Sequence, residues 1–263
     1  MRNVLAIIRK ELYSFVFSPT VWVVFAVFLL IIGWMFYGMT AYFADAYQQY
    51  QQQQAYMRGM GNMTFNLNQR VVAPMLGNMA VVLLLLLPVI TMRLLAEEQS
   101  QGTIELLLTR PVTVTQLVAG KYLAALAVML AMIGCTALFP FMLSLYGTMD
   151  MGPVYTGYLG VSLLGASFLA LGLFASSLTR SQVVAAALGF GGNLLFWIVS
   201  WISASMESES SMGSKILAHL SIISHFENPA KGVLASVDIV YYLSFIAFFL
   251  FLTHRVVDSM RWR

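Results

Sequence analysis

Six long apolar stretches divide this sequence, and they limit its possible folds more than any other feature. A helix that crosses a bilayer needs about 20 mainly apolar residues. The stretches cover residues 21–43, 71–92, 122–146, 154–178, 182–203 and 239–253. Such continuous runs predict helices rather than barrel strands, because each helix satisfies its own backbone hydrogen bonds in lipid. We therefore expect an all-α integral membrane protein with six transmembrane helices, forming a single domain over residues 1–263.

The composition agrees with a membrane protein and excludes an ordinary soluble domain. Hydrophobic residues make up 60% of the chain and charged residues 10%, whereas soluble domains average about 45–50% apolar and about 25% charged residues. The small formal net charge of +3 lies in the short flanks of the apolar stretches. It therefore indicates membrane topology rather than nucleic-acid binding.

The distribution of Lys and Arg predicts that both termini are cytoplasmic. This orientation places ten of the 14 Lys and Arg residues inside and four outside, which is the bias that cytoplasmic loops show. The polar segment 97–121 is then cytoplasmic, and segment 206–237 is extracytoplasmic. The uncharged run 15–44 is too long for a signal-peptide core of about 7–15 residues, so we expect the first span to be retained.

Residues 1–18 predict a helix that lies along the inner leaflet, with a soluble coil as the alternative. One helical face of this segment is apolar, and the next residues, Ser18 and Pro19, break the helix before the first span. The apolar face consists of Leu5, Ile8, Leu12 and Phe15. The charged residues off this face are Arg9, Lys10 and Glu11.

The polar segment 97–121 predicts a short cytoplasmic helix between two membrane helices. Glu97 and Glu98 extend the second span, which ends at Gly102. The short helix follows from Thr103 and is closed by Pro111, and the third span then begins with a capping box. The residues of the short helix that could contact a partner are Ile104, Glu105, Leu107, Leu108 and Arg110. Apolar residues flanked by charges suit a docking surface, whereas the simpler interpretation is a plain interfacial loop.

Two further segments favour packing rather than chemistry. Segment 206–237 has an amphipathic pattern that predicts one or two short helices, and His219 and His225 within it are interpreted as ordinary polar residues at the membrane surface. In the fifth span, Ala185 and Gly189 form a small-xxx-small pair, and Gly191 belongs to a second one. Such pairs allow close approach of helices within the bundle or in a dimer.

Several kinds of chemistry are absent from the sequence. It contains no phosphate-binding loop of the G-x-x-x-x-G-K-[ST] type and no metalloprotease or serine-hydrolase motif. The methionines at 57, 60 and 63 recur at every third residue but are interpreted as incidental, so no metal site is expected. The spans also lack the buried ionisable residues that ion-coupled transporters use. We expect no catalytic residue and no cofactor in this chain, and any energy for transport would enter at the cytoplasmic surface.

The polar segment carries a resemblance to a known family. The residues are Glu97, Glu98, Gly102, Thr103, Glu105, Leu106, Leu107, Pro111, Gly120 and Lys121. Their order resembles the first cytoplasmic loop of the membrane subunit of ABC-2-type transporters, and the order of helices is similar over the whole chain. The stretches 78–98 and 224–244 are most similar to the gliding-motility-associated permeases within that family.

The resemblance implies a permease subunit of the bacterial inner membrane that exports an unidentified substrate. Two permease copies would pair, and two separate ATP-binding subunits, which hold the ATP and Mg²⁺, would dock below them. The coupling helix at 102–111 and the N-terminal helix would form the docking contacts. The implied docking residues are Glu97, Glu98, Gly102, Thr103, Ile104, Glu105, Leu107, Leu108, Arg110, Pro111, Arg9, Lys10 and Glu11.

Relatives of the gliding type also imply a large extracytoplasmic accessory protein. An alternative function therefore stays open at this point. The chain would be a non-transporting mechanotransmission subunit, which passes ATPase-driven motion to an outer partner through residues 206–237.

Overall fold

The structure, a computed structural model, describes residues 2–56, 66–103, 112–146, 149–205, 219 and 221–260. Every regular element in these ranges is helical. The helices are α1 (Arg2–Val16), α2 (Pro19–Tyr56), α3 (Ala73–Ser100), α4 (Val114–Thr136), α5 (Leu138–Tyr146), α6 (Met151–Ser177), α7 (Gln182–Ser205), α8 (Ser224–Ala230) and α9 (Ser236–Ser259), with a π-helical turn at Asn68–Val72 before α3. The predictions for Ile104, Glu105, Leu107, Leu108, Arg110 and Pro111, and for the methionines 57, 60 and 63, lie outside the described residues.

The described residues contain six stretches that are long and apolar enough to cross a membrane, so the predicted all-α membrane fold is confirmed. The spans of α6 and α3 form the centre, with 78% and 67% of their most apolar windows buried. The other four spans are only 17–33% buried, and they expose large apolar side chains such as Trp34, Leu195 and Phe251. A lipid-facing surface has this character, because lipid does not penalise apolar exposure.

The helix bundle has two ends, which we call proximal and distal. The proximal end carries α1, the C-terminal end of α3 and the N-terminal end of α4. The distal end is the opposite one and carries α8. The sequence predicts that the proximal end is cytoplasmic.

Several helices run beyond the apolar stretches that predicted them. α2 continues to Tyr56, so the glutamine-rich sequence after residue 43 is helical up to that point. α9 begins at Ser236 and ends at Ser259, and thus includes the polar residues Asp238 and His254. Hydropathy identifies only the part of a helix that lies in lipid. Gln and Ala both favour helix, so the helix can continue beyond that part into water.

The third span is interrupted, although not at the proline itself. α4 ends at Thr136, and α5 begins at Leu138 after a break at Ala137. A proline ring clashes with the carbonyl group four residues earlier, and that residue is Thr136 for Pro140. The amide of Ala137 instead bonds to the carbonyl oxygen of Gly134 at 3.1 Å. The break that Pro140 causes therefore appears one turn earlier in the chain.

The buried face of α1 differs from the predicted one. Leu5, expected on the apolar face, is 70% exposed, whereas Glu11, expected off that face, is 8% exposed. Phe15 of the predicted face is buried and Ile8 and Leu12 pack against the core, so what the prediction lacked was the protein contact that buries Glu11. In the structure α1 packs against α4. An added Cβ at Gly120 would lie 2.7 Å from Ile7 Cγ2, so only glycine permits this close approach.

Candidate functional site

Both ends of the polar segment are shaped by local backbone signals. α3 stops after Ser100, and Gly102 takes a positive φ of 67°, a conformation that favours glycine after a helix. On the far side, the Thr113 hydroxyl accepts from the amide of Gln116, and the Gln116 side chain accepts from the amide of Thr113, both at 3.3 Å. This is the predicted capping box. It fixes where α4 begins, a few residues after 104–111.

A cluster of four charges, three of them largely buried, joins the helices on both sides of segment 104–111. Lys121 Nζ on α4 lies 2.9 Å from Glu98 Oε1 on α3 and 3.0 Å from Glu11 Oε1 on α1. Lys10 Nζ on α1 lies 3.2 Å and 3.5 Å from the same two oxygens. Two lysines therefore share two carboxylate oxygens. We call this set, Lys10, Glu11, Glu98 and Lys121, the proximal ion cluster.

The four members of the cluster differ in their exposure. The Lys121 side chain is 1% exposed, and those of Glu11 and Glu98 are 10% and 12% exposed, whereas that of Lys10 is 60% exposed. Partial burial lowers the pKa of Lys10, but the charges of Glu98 and Glu11 outweigh it, so this pKa is raised above 10.5. Removing one partner from a buried ion pair costs about 3–5 kcal/mol, because the other charge stays buried. Lys121 therefore depends on both glutamates.

A cavity of about 670 Å³ opens beside the cluster. Its walls come from α1, from the end of α3 and from both described edges of the polar segment, at Thr103 and Val112. A smaller cavity of about 90 Å³ lies against Ser18 and Phe15. The cavities have in common the lining residues Glu11, Ser14, Arg93 and Glu97.

The structure places the described docking candidates in two groups. Glu11 and Glu98 point inward and hold Lys121. Arg9 is exposed, with its guanidinium 5.6 Å from the ring of Tyr13, and Lys10 is the exposed member of the cluster. The remaining described candidates, Glu97, Gly102 and Thr103, lie at the rim of the polar segment, where they are exposed or partly buried.

Sequence reasoning did not include Lys121 among the site residues. It matched the Gly-Lys pair of the family pattern, but nothing local predicts its partners, since Glu11 precedes it by 110 residues. A usable signal was the lysine itself. It follows the capped start of a membrane helix by two turns, where a charge needs a partner.

A second polar cluster lies at the distal end. Asp238 Oδ1 is 2.7 Å from Nδ1 of His225, and Asp238 Oδ2 accepts from the Asn228 amide at 3.1 Å. The Tyr241 ring stacks on His225 with 4.1 Å between ring centroids. His225 and Asp238 are 6% and 5% exposed, so the interpretation of His225 as a surface residue was wrong. We call this set the distal cluster.

The small residues of α7 also separate into two groups. Ala185 is 1% exposed, and an added Cβ at Gly189 would lie 3.5 Å from Gly172 Cα and 3.6 Å from Pro88 Cβ. These two residues therefore pack against the chain's own helices. An added Cβ at Gly191 would meet nothing within 4 Å. The part of the chain that the structure describes contains no group of three or more His, Cys, Asp or Glu suited to a metal ion.

Comparison with known proteins identifies the family. No curated protein matches the sequence. The family model described as "ABC-2 family transporter protein" matches residues 5–257, which include most of α1, the polar segment and the apolar part of all six spans. The chain therefore belongs to the ABC-2 family of transporter membrane proteins.

Proposed function

We propose that this chain is the permease subunit of an ABC exporter in a bacterial inner membrane. ATP hydrolysis in separate ATP-binding subunits would supply the energy, and segment 97–121 with α1 would receive it. The observation that supports this proposal is the proximal ion cluster. It ties α1 to α3 and α4, the two helices that enter and leave segment 104–111.

The cluster gives the segment a route into the membrane. A force on 104–111 acts directly on α3 and α4, because these helices begin and end beside it. Lys121 passes the same force to α1 through Glu11, while Glu98 keeps α3 in register with α4. α3 packs along α6 and α7 at the centre of the bundle. Motion of the segment would thus reach the core without needing charges inside the spans.

The docking surface follows from the same geometry. Among the α1 residues whose exposure the structure describes, Arg9 and Lys10 are the exposed charges, so they are the better candidates for direct contact with an ATP-binding subunit. Glu11 and Glu98 would contribute indirectly by holding Lys121. The apolar contact would come from Ile104, Leu107 and Leu108, as the sequence predicts.

The assembly that we propose contains two permease copies, related by close packing of their spans. The α7 face that carries Gly191 is a candidate contact, because Ala185 and Gly189 are already used within the chain. The description of the family as a transporter favours transport over mechanotransmission. Membership of the gliding-motility subgroup and an extracytoplasmic accessory protein stay predictions of the resemblance.

The experiment that tests this function is co-purification with the ATP-binding subunit encoded beside this chain. Leu107→Asp should abolish co-purification and stimulated ATP hydrolysis, because a buried carboxylate cannot sit in an apolar docking groove. Leu107→Met, which preserves apolar volume, should retain both. Both variants should insert into the membrane and keep the wild-type thermal midpoint. Normal co-purification of the Leu107→Asp protein would overturn the docking assignment.

A further inference from the structure

The two cavities beside the proximal ion cluster form one groove between α1 and α3. They share four lining residues, Glu11, Ser14, Arg93 and Glu97, so they are adjoining parts of the same space. We call it the α1–α3 groove. Arg93 follows directly after the apolar stretch 71–92, which places the groove at the level where the hydrocarbon region ends and lipid head groups begin.

One wall of the groove contains a cation, Arg93, whose hydrogen bonds are incomplete. Arg93 Nη1 donates to the Ser18 hydroxyl at 2.8 Å, but its buried Nε has no hydrogen-bond acceptor among the described residues. Within the same residues, Arg93 forms no ion pair, although Glu97 lies one helical turn away. A buried guanidinium N–H without an acceptor is unfavourable, and a guanidinium fork suits a phosphate group well. This wall lacks an anion.

A carboxylate that lacks a hydrogen-bond donor lies a short distance along α3. Glu98 Oε1 contacts both lysines of the proximal ion cluster, but its buried Oε2 has no donor among the described residues. Glu97 forms no ion pair within these residues either, and its Oε1 accepts only from the side-chain Nε2 of Gln101, at 3.4 Å. This part of the groove lacks a donor, preferably a cationic one.

A single ligand with an anionic group and an ammonium group would supply an acceptor to Arg93 and a donor to Glu98. Arg93 and Glu97 are four residues apart on α3, which corresponds to about 6 Å along the axis. A phosphate and a primary ammonium joined by two carbons match this spacing. We propose that the α1–α3 groove binds the phosphoethanolamine head group of a membrane phospholipid. Its phosphate would lie on Arg93, Ser14 and Ser18, and its ammonium would lie toward Glu97 and Glu98.

The charges around the groove make this head group the best match. Glu11, Glu97 and Glu98 line the larger cavity, so a purely anionic head group such as phosphoglycerol would meet repulsion. A phosphocholine head group carries the cation but has no N–H to donate to Glu98 Oε2. Lys10 and Lys121 also line the cavity, yet both are already paired with Glu11 and Glu98. Basic sites between membrane helices and the interface are known to bind lipid head groups.

The test measures which lipid the full-length chain retains. The protein is reconstituted into nanodiscs with equal amounts of phosphatidylethanolamine, phosphatidylcholine and phosphatidylglycerol of identical acyl chains, and lipids that remain bound are identified by native mass spectrometry. We expect preferential retention of phosphatidylethanolamine. Arg93→Ala should weaken that retention by about tenfold, the usual effect of losing a charged hydrogen bond.

Matched variants keep the test independent of folding. Arg180→Ala removes an exposed arginine from the loop before α7 at the proximal end, and it should leave retention unchanged. Ser14→Ala removes one phosphate donor while keeping the whole proximal ion cluster, and it should reduce retention more mildly. Equal retention of the three lipids, or a preference that survives Arg93→Ala, would overturn the proposal.

A separate competition experiment distinguishes a membrane lipid from a soluble molecule with the same head group. Excess soluble glycerophosphoethanolamine is added to the nanodisc complex before release of the lipids. Retention that resists this competitor supports a membrane lipid as the occupant. Displacement by the competitor, with loss of competitor binding in Arg93→Ala, would overturn the lipid assignment in favour of a soluble phosphate ester of the same chemistry.

Discussion

At the proximal end Lys121 meets three other charged side chains, Lys10, Glu11 and Glu98, whereas at the distal end His225 meets Asp238, Asn228 and the ring of Tyr241. Both clusters are buried, but they are built differently. The proximal ion cluster joins α1 to α3 and α4, with contacts over 88 and 110 residues of sequence, and a cavity with unpartnered polar atoms adjoins it. The distal cluster joins α8 to the neighbouring α9, and the two carboxylate oxygens of Asp238 each have a partner.

This difference indicates different mechanical roles. A cluster that links α1, α3 and α4 suits transmission of displacement among these three helices. A cluster between neighbouring segments fixes the local position of α8 at the end of the bundle. Gly232, with a φ of 96°, turns the chain between α8 and α9 and keeps this distal connection short.

The largest effect is expected from Lys121→Met. The substitution leaves Glu11 and Glu98 close together with only Lys10 between them, and it should lower the free energy of unfolding by about 3–5 kcal/mol. Thermal unfolding in detergent measures this change. The triple variant Glu11→Gln, Glu98→Gln and Lys121→Met removes all three buried charges and should recover part of the loss. An unchanged midpoint for Lys121→Met would contradict the role of the cluster.

Asp238→Asn tests the distal cluster. It removes the charge that His225 and Asn228 contact, and it should lower the free energy of unfolding by roughly 1.5–3 kcal/mol. Hydrogen exchange should increase in α8, while co-purification with the ATP-binding subunit stays normal. Glu227→Gln is the control, since its pair with Lys231 is 61–68% exposed and such pairs contribute little. Loss of co-purification in Asp238→Asn would show that the two ends are not separable.

Gly120→Val tests the seat of α1 on α4. The added side chain would overlap Ile7, and overpacking of this kind costs about 1–3 kcal/mol. The double variant Ile7→Ala and Gly120→Val should regain stability, because the alanine makes room. Gly191→Val, where an added Cβ meets nothing within 4 Å, should have little effect on the single chain. Equal destabilisation by both glycine substitutions would argue against close packing at Gly120.

The smallest effect is expected from Lys10→Met. Its ammonium is mostly exposed, so the loss should be below about 1 kcal/mol and should shrink as salt is added. Because its pKa is raised from 10.5, its contribution is fully present below that pH and is lost only as the pH rises through the raised pKa. A salt titration of the thermal midpoint, compared with that of Lys121→Met, separates the exposed lysine from the buried one.

Local features of this chain could be predicted from the sequence. The capping box at Thr113, the end of α3 before Gly102 and the turn at Gly232 depend on neighbouring residues only, and all three occur in the structure. The number of spans followed from hydropathy, because lipid imposes one length and one polarity on each helix.

The contacts of the candidate site could not be predicted in this way. Glu11 and Lys121 are 110 residues apart, and Glu98 gave no sign that its carboxylate would turn inward. The amphipathic pattern of α1 showed its apolar side chains but not its packing on α4, so the burial of Glu11 against Lys121 could not be predicted. His225 was assigned to the surface for the same reason, since its partner belongs to the flank of another helix.

The length of α2 has a consequence for the shape of the protein. Its 38 residues correspond to about 57 Å at about 1.5 Å per residue, whereas a bilayer with its head groups is about 40–45 Å thick. At an ordinary tilt the glutamine-rich end of the helix therefore extends beyond the head groups into water. A membrane-impermeant label would reach a cysteine placed at Gln49 from only one side of the membrane. That one position would report the orientation of every helix in the chain.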